Sequence, residues 1–228
     1  TASTRTRFER GPAQRSLLYC LQKGYFRLIR YLLESGIGDA RERDGEGRTA
    51  LIYCCFVDDA RWAKTIAMTL LERGAQIADQ DQRGLNALHY AIITQRPVLI
   101  RLYLDSIDFD FTHSTDINGN TCLHYACATG NTSIVRAVLN AMKHYAVELT
   151  ITNHAGLTAY DVACQFDFER CQNLIRNEMT LQERANLAKA PLKPPALARR
   201  LSITERLHSL APPSRSNESV ISLPYFVS

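Results

Sequence analysis

The chain has 228 residues, 46% of them hydrophobic, with 27 Lys and Arg against 23 Asp and Glu. That is enough apolar material for a sizeable core, so global disorder is excluded. No apolar run approaches the ~20 residues that a membrane helix requires, and a net charge of +4 selects no partner class by itself.

The first fifteen residues carry four Arg and one Glu. A basic end of this kind reads as a solvated tail. The chain starts at Thr1 rather than Met, as a fragment or processed form would, and nothing at its start reads as an apolar leader. From residue 16 the pattern turns helical. Leu17-Leu-Tyr-Cys-Leu21 and Leu28-Ile-Arg-Tyr-Leu-Leu33 predict two short helices, separated by Lys23-Gly24 and closed by Ser35-Gly36.

Four segments then align on a glycine: Gly47-Arg-Thr-Ala-Leu51, Gly84-Leu-Asn-Ala-Leu88, Gly119-Asn-Thr-Cys-Leu123 and Gly156-Leu-Thr-Ala-Tyr160. The glycines are 37, 35 and 37 residues apart, and Asp44, Asp81, Asp116 or Asn153 stands three residues before each. Glycine supplies the backbone freedom that a turn needs. Thr49, Thr121 and Thr158 stand where a hydroxyl caps a following helix, and Asn86 can do the same. Each block runs on into a second apolar stretch at helical spacing, such as Ile66-Ala-Met-Thr-Leu-Leu71, or Ile134, Val135, Val138 and Leu139. A single helix pair of this kind leaves its apolar face open, and stacked neighbours close it.

These residues resemble the ankyrin repeat, whose signature is a β-turn, T-P-L-H-x-A and two antiparallel helices over 33 residues. The match recurs in phase and covers roughly residues 16–178. The resemblance implies an all-α solenoid of stacked antiparallel helix pairs with β-turn or hairpin connections. Repeats fall at about 16–43, 44–80, 81–115, 116–152 and 153–178. The first lacks the turn and the Thr, as an N-terminal cap does. The motif proline is replaced by Ala50, Ala87, Cys122 and Ala159, which removes pre-organisation. Two periods exceed 33 by four residues, about one helical turn. The surplus is placed in Asp58–Lys64 and around Asn140–Tyr145, predicting longer second helices or loops there.

His89 and His124 occupy the histidine position of the motif, where the resemblance implies a structural hydrogen bond between repeats. The seven cysteines form no C-x-x-C pair and lie mostly in apolar runs, so they read as reduced, buried thiols, with no metal or cofactor site. That usage suggests a cytoplasmic or nuclear protein. A nucleophile pair of Cys122 or Cys127 with His124 lacks an orienting carboxylate. The chain holds no G-x-S-x-G, P-loop, G-x-G-x-x-G or H-E-x-x-H motif, and no enzyme activity is expected.

Ankyrin stacks bind through a concave face of turn tips and first-helix ends. The resemblance places an apolar stripe there, of Phe56, Val57, Leu85, Ile93, Leu157 and Phe166. Arg48, Gln82, Arg83, Asn118 and Asn120 form its polar rim. Anchors inside a polar rim are typical of interfaces. Tyr19, Tyr53, Tyr90 and Tyr125 align at one repeat position. Packing between repeats is expected of them, with hydroxyls at the groove edge.

After Met179 the pattern stops. Six prolines and seven Lys or Arg against three Glu mark residues 179–228 as a largely disordered basic tail. Arg199-Arg-Leu-Ser-Ile203 resembles a site for basophilic kinases, with Ser202 the acceptor. Ser202 and Glu205 also have capping-box spacing, predicting a short helix over 202–210. The functional expectation is a monomeric, non-catalytic adaptor that binds intracellular proteins or peptides through its concave face. Two alternatives stand beside it. One is the targeting module of a larger enzyme. The other is a nucleic-acid or membrane-surface binder acting through the basic ends. The middle of the chain, left at −3 once the +3 and +4 of the ends are taken from the net +4, disfavours it, as does the lack of interleaved aromatics in the tail.

Overall fold

The computed structural model describes residues 16–106 and 114–179. The tails assigned to 1–15 and 180–228, with Ser202 and the predicted 202–210 helix, lie outside the described residues. Among those described, ten helices form five antiparallel pairs. They are α1 (Leu17–Lys23) with α2 (Phe26–Glu34), α3 (Ala50–Cys54) with α4 (Ala60–Glu72) and α5 (Ala87–Ile93) with α6 (Pro97–Leu104). α7 (Cys122–Thr129) with α8 (Thr132–His144) and α9 (Ala159–Gln165) with α10 (Glu169–Glu178) complete the set. First helices pack on first helices and second on second, giving two layers.

Helices of five to eight residues are too short to persist alone in water. Burial sustains them: every residue of α3 and of α5 is buried. Each buried Leu, Ile or Tyr contributes roughly 1.5–3 kcal/mol. The capping residues sit where the sequence predicts. Thr49 accepts from Ile52 N, Asn86 from His89 N and Thr158 from Asp161 N.

The turns precede the first helices. Antiparallel bridges Arg43–Thr49, Thr115–Thr121 and Thr152–Thr158 close hairpins around Gly47, Gly119 and Gly156. Each turn also bonds to the next: Gln82 N donates to Glu46 O at 2.9 Å, Ile117 N to Arg83 O at 3.1 Å and His154 N to Asn118 O at 2.8 Å. The tips therefore form a backbone ladder across repeats. This close approach demands glycine as much as the dihedral does. At Gly84, φ is +75°, and a Cβ would stand 2.8 Å from Ile117 N.

Two expectations change. In repeats 2 to 5 the caps of the paired helices keep one spacing: Thr49 and Asp59, Asn86 and Arg96, Thr121 and Asn131, Thr158 and Phe168. The surplus of repeat 2 is therefore not in Asp58–Lys64. It lengthens the far end of α4, which has 13 residues, as α8 does, against 8 in α6. Tyr19 is also out of register. Its amide donates to the cap Ser16, so it occupies the slot of His89 rather than that of Tyr90.

Gly84→Ala should lower stability by at least about 1 kcal/mol, from the left-handed backbone alone. Gly45→Ala should be near neutral, because nothing lies within 4 Å of a Cβ there. Urea unfolding of both variants checks this.

Candidate interaction surface

The surface is built on a unit repeated along the turns. Asp81 Oδ1 accepts from Arg83 N at 2.9 Å and Leu85 N at 2.9 Å, which closes the turn. Its Oδ2 accepts from the Tyr90 hydroxyl at 2.6 Å. Asp44 repeats this with Glu46 N, Arg48 N and the Tyr53 hydroxyl, and Asp116 with Asn118 N, Asn120 N and the Tyr125 hydroxyl. Asn153 keeps the turn bonds to Ala155 N and Leu157 N, but position 162, opposite it, is a buried Val. An uncharged amide needs no hydroxyl partner there.

Burial pushes the Asp116 carboxyl upward, but hydrogen bonds from Asn120 and Tyr125 outweigh it and hold the carboxyl below its usual value. Asp44 is lowered likewise: burial opposes, while bonds from Arg48 and Tyr53 prevail. Tyr53, Tyr90 and Tyr125 are thus core residues, at most 4% exposed.

His124 is also buried structure. Its Nδ1 accepts from Thr121 N at 3.1 Å, so the proton is on Nε2, which lies 2.9 Å from Leu157 O in the next repeat. Burial lowers His89 to about 4, against an opposing pull from Asp116, and lowers His124 too. Burial also pushes the Cys55 and Cys122 thiols up to about 12. All seven cysteines are free, but Cys164 is exposed, contrary to expectation. It holds the slot six residues after the cap that Cys55, just past α3, and Ile92 and Cys127, in α5 and α7, also hold, where a following repeat covers it.

The expected apolar stripe is largely core. Val57, Leu85, Ile93 and Leu157 are at most 5% exposed, and Arg48 and Asn120 are 7% and 2%. The slot after each turn glycine points inward, because its N–H closes the turn on the side-chain oxygen of Asp44, Asp81, Asp116 or Asn153. Arg48 Nε there donates to Asp44 Oδ2 at 2.7 Å and Asn120 Nδ2 to Asp116 Oδ2 at 3.0 Å. Asn120 Oδ1 in turn accepts from Asn153 Nδ2 at 2.8 Å. Of the eight candidates only Phe56 and Phe166 remain half-buried. Phe56 meets the Tyr90 ring edge-on at 5.7 Å, and Phe166 stacks on Phe168 at 5.9 Å.

The exposed positions are the tips themselves: Glu46, Gln82, Ile117 and His154, with Arg83 and Asn118 half-buried beside them. Ile117 is 57% exposed. The repeat alignment could have found it, since Gly45, Gln82 and His154 hold the same slot.

The sequence profile described as "Ankyrin repeats (3 copies)" matches residues 17–112 and 97–185. The chain belongs to the ankyrin-repeat family. It is 28% identical over 165 residues to Ankyrin repeat domain-containing protein 63 of Mus musculus, covering 69% of this chain and 40% of that protein. It is 29% identical over 132 residues to the B-cell lymphoma 3 protein homolog of Mus musculus, covering 58% of this chain and 29% of that protein. It thus spans well under half the length of these relatives. No helix among the described residues is long and apolar enough to cross a membrane.

Tyr125→Phe should cost about 1–3 kcal/mol by leaving a buried carboxylate short of a donor. The pair Asp116→Asn with Tyr125→Val, copying Asn153 and Val162, should cost less than the sum of its single changes in a urea double-mutant cycle. Acid should act through His89. It titrates near 6.5 when unfolded and at about 4 when folded. The unfolded state therefore binds the extra proton between these values, and stability falls as pH drops through that window. Urea midpoints should fall less steeply there in His89→Gln than in the parent.

Proposed function

We propose that the chain is a non-catalytic adaptor module of the cytoplasm or nucleus. It holds a partner protein along the turn tips and the adjoining edge of the first helices. Ankyrin repeats are in general modules of protein–protein interaction, which supports the class. The observation that carries the reading is the tip ladder. Backbone bonds fix the spacing of successive tips, while Glu46, Gln82, Ile117 and His154 differ in chemistry. A rigid scaffold with varied tips favours selectivity, because little ordering entropy is lost on docking. Phe56, on the inner edge, supplies an aromatic anchor of the kind that dominates interface energetics. Phosphorylation at Ser202 by a basophilic kinase is proposed as regulation, by adding charge beside Arg199 and Arg200.

The test is affinity capture from cell lysate with the parent chain and with Ile117→Asp and Phe56→Asp variants of unchanged circular dichroism. Retained proteins should fall about tenfold in each variant, the loss of roughly 1.4 kcal/mol. Equal retention by all three would remove the tips and inner edge as the docking surface.

A further inference from the structure

The two ends of the helix stack differ in chemistry. Seven large hydrophobic side chains are exposed among the described residues; Tyr25, Tyr31 and Ile37 are in the first repeat, and none is on α9 or α10. Tyr25 is 50% and Tyr31 60% exposed. Register explains Tyr31. With second helices aligned on Tyr25, Asp59 and Asn131, Tyr31 takes the slot of Thr65 and Ala137. Thr65 lines the groove between α2 and α4, and Ala137 that between α6 and α8. The slot faces the preceding second helix, and α2 has none among the described residues.

Charge distinguishes this end as well. Residues 16–33 contain Lys23, Arg27 and Arg30 and no carboxylate, whereas the described residues from 34 onward carry 13 Lys and Arg against 17 Asp and Glu. Arg30 is paired with Glu34 at 2.7 Å. Arg27 is exposed, one helical turn before Tyr31 on the same stripe. Lys23 lies 5.9 Å from the centre of the Tyr19 ring, which meets Tyr25 edge-on at 6.4 Å. Cations and aromatics thus run from the edge of α1, where Lys23 holds the slot of Phe56, through Tyr25 to the open face at Tyr31.

We propose that this end and the adjoining edge of α1, formed by Tyr19, Lys23, Tyr25, Arg27 and Tyr31, dock an acidic segment of another protein that also carries apolar side chains. Carboxylates meet Lys23 and Arg27, and the tyrosine faces cover the apolar groups. The basic residues 1–15 have the same sign as this face, which argues against them as its occupant. A long polyanion would be repelled by the acid excess of the other repeats. A short acidic segment reaches the basic end alone. The surface lies away from the turn tips and meets the first-helix edge only at Tyr19 and Lys23.

Fluorescence anisotropy on the full chain tests this, with a short fluorescein-labelled peptide of alternating Glu and Leu as probe. Alternating Lys and Leu peptide and oligothymidine serve as comparisons. The acidic probe should bind saturably at low salt and weaken as salt rises. Lys23→Glu with Arg27→Glu should weaken it at least about tenfold, the loss of one charge-assisted contact. Tyr31→Ala should weaken it as well, and Ile117→Asp should not. Circular dichroism confirms folding, which the exposed positions permit. The proposal is overturned if the acidic probe does not saturate, or if charge reversal leaves its affinity unchanged. Tighter binding of oligothymidine would assign the face to nucleic acid instead. Concentration-dependent self-association abolished by Tyr31→Ala would assign it to a second copy.

Discussion

Burying a carboxylate is the constraint on which the structure turns. Asp81 and Asp116 are 8% and 4% exposed, and a charge so placed must be met by donors. Two come from the turn it begins and one from a tyrosine nine residues later. Hydrogen bonds to a charged group are worth about 1.5–3 kcal/mol each. The turn, the cap and the first helix are therefore one unit. A change to the tyrosine is felt at the tip, although the tip is exposed and the tyrosine is not. Function inherits this: partner-facing side chains stand on turns whose geometry is fixed from below.

Variation along the stack follows the same rule. Asn153 replaces the aspartate where Val162 replaces the tyrosine, so neither a charge nor a hydroxyl is left unmet. In the second repeat the exchange runs the other way. Asp44 gathers Arg48 as a further partner at 2.7 Å, and Gln22 of the first repeat donates to the Tyr53 hydroxyl at 3.0 Å. The second helices carry the length differences, because their far ends project past the contacts that fix the caps. That is why repeats of unequal length stack in one register.

Much of the fold was legible because the signals are local. A glycine with an Asp or Asn three residues before it and a Thr or Asn two residues after it is a turn and a cap in any context. The surface was less legible. Leu85 and Leu157 alternate with Arg48 and Asn120 at one slot, a mixed polarity that looks exposed. Their inward direction comes from the turn N–H bonding the Asp or Asn side-chain oxygen, which no hydrophobicity pattern records. Tyr19 misled because the shift is a single residue, and only the Ser16 cap reveals it. The charge and aromatic character of α1 and α2 was in the sequence, but its exposure depends on which helix faces are covered.

Native-state hydrogen exchange tests the central claim most directly. The amides of Leu85 and Asn120, which donate to the turn carboxylates, should exchange as slowly as core amides of α5 and α7, because turns and helices open together. Exchange of these two amides at the rate of unprotected loops, with α5 and α7 still protected, would contradict it. The turns would then be ornaments on a stack held by helix packing alone.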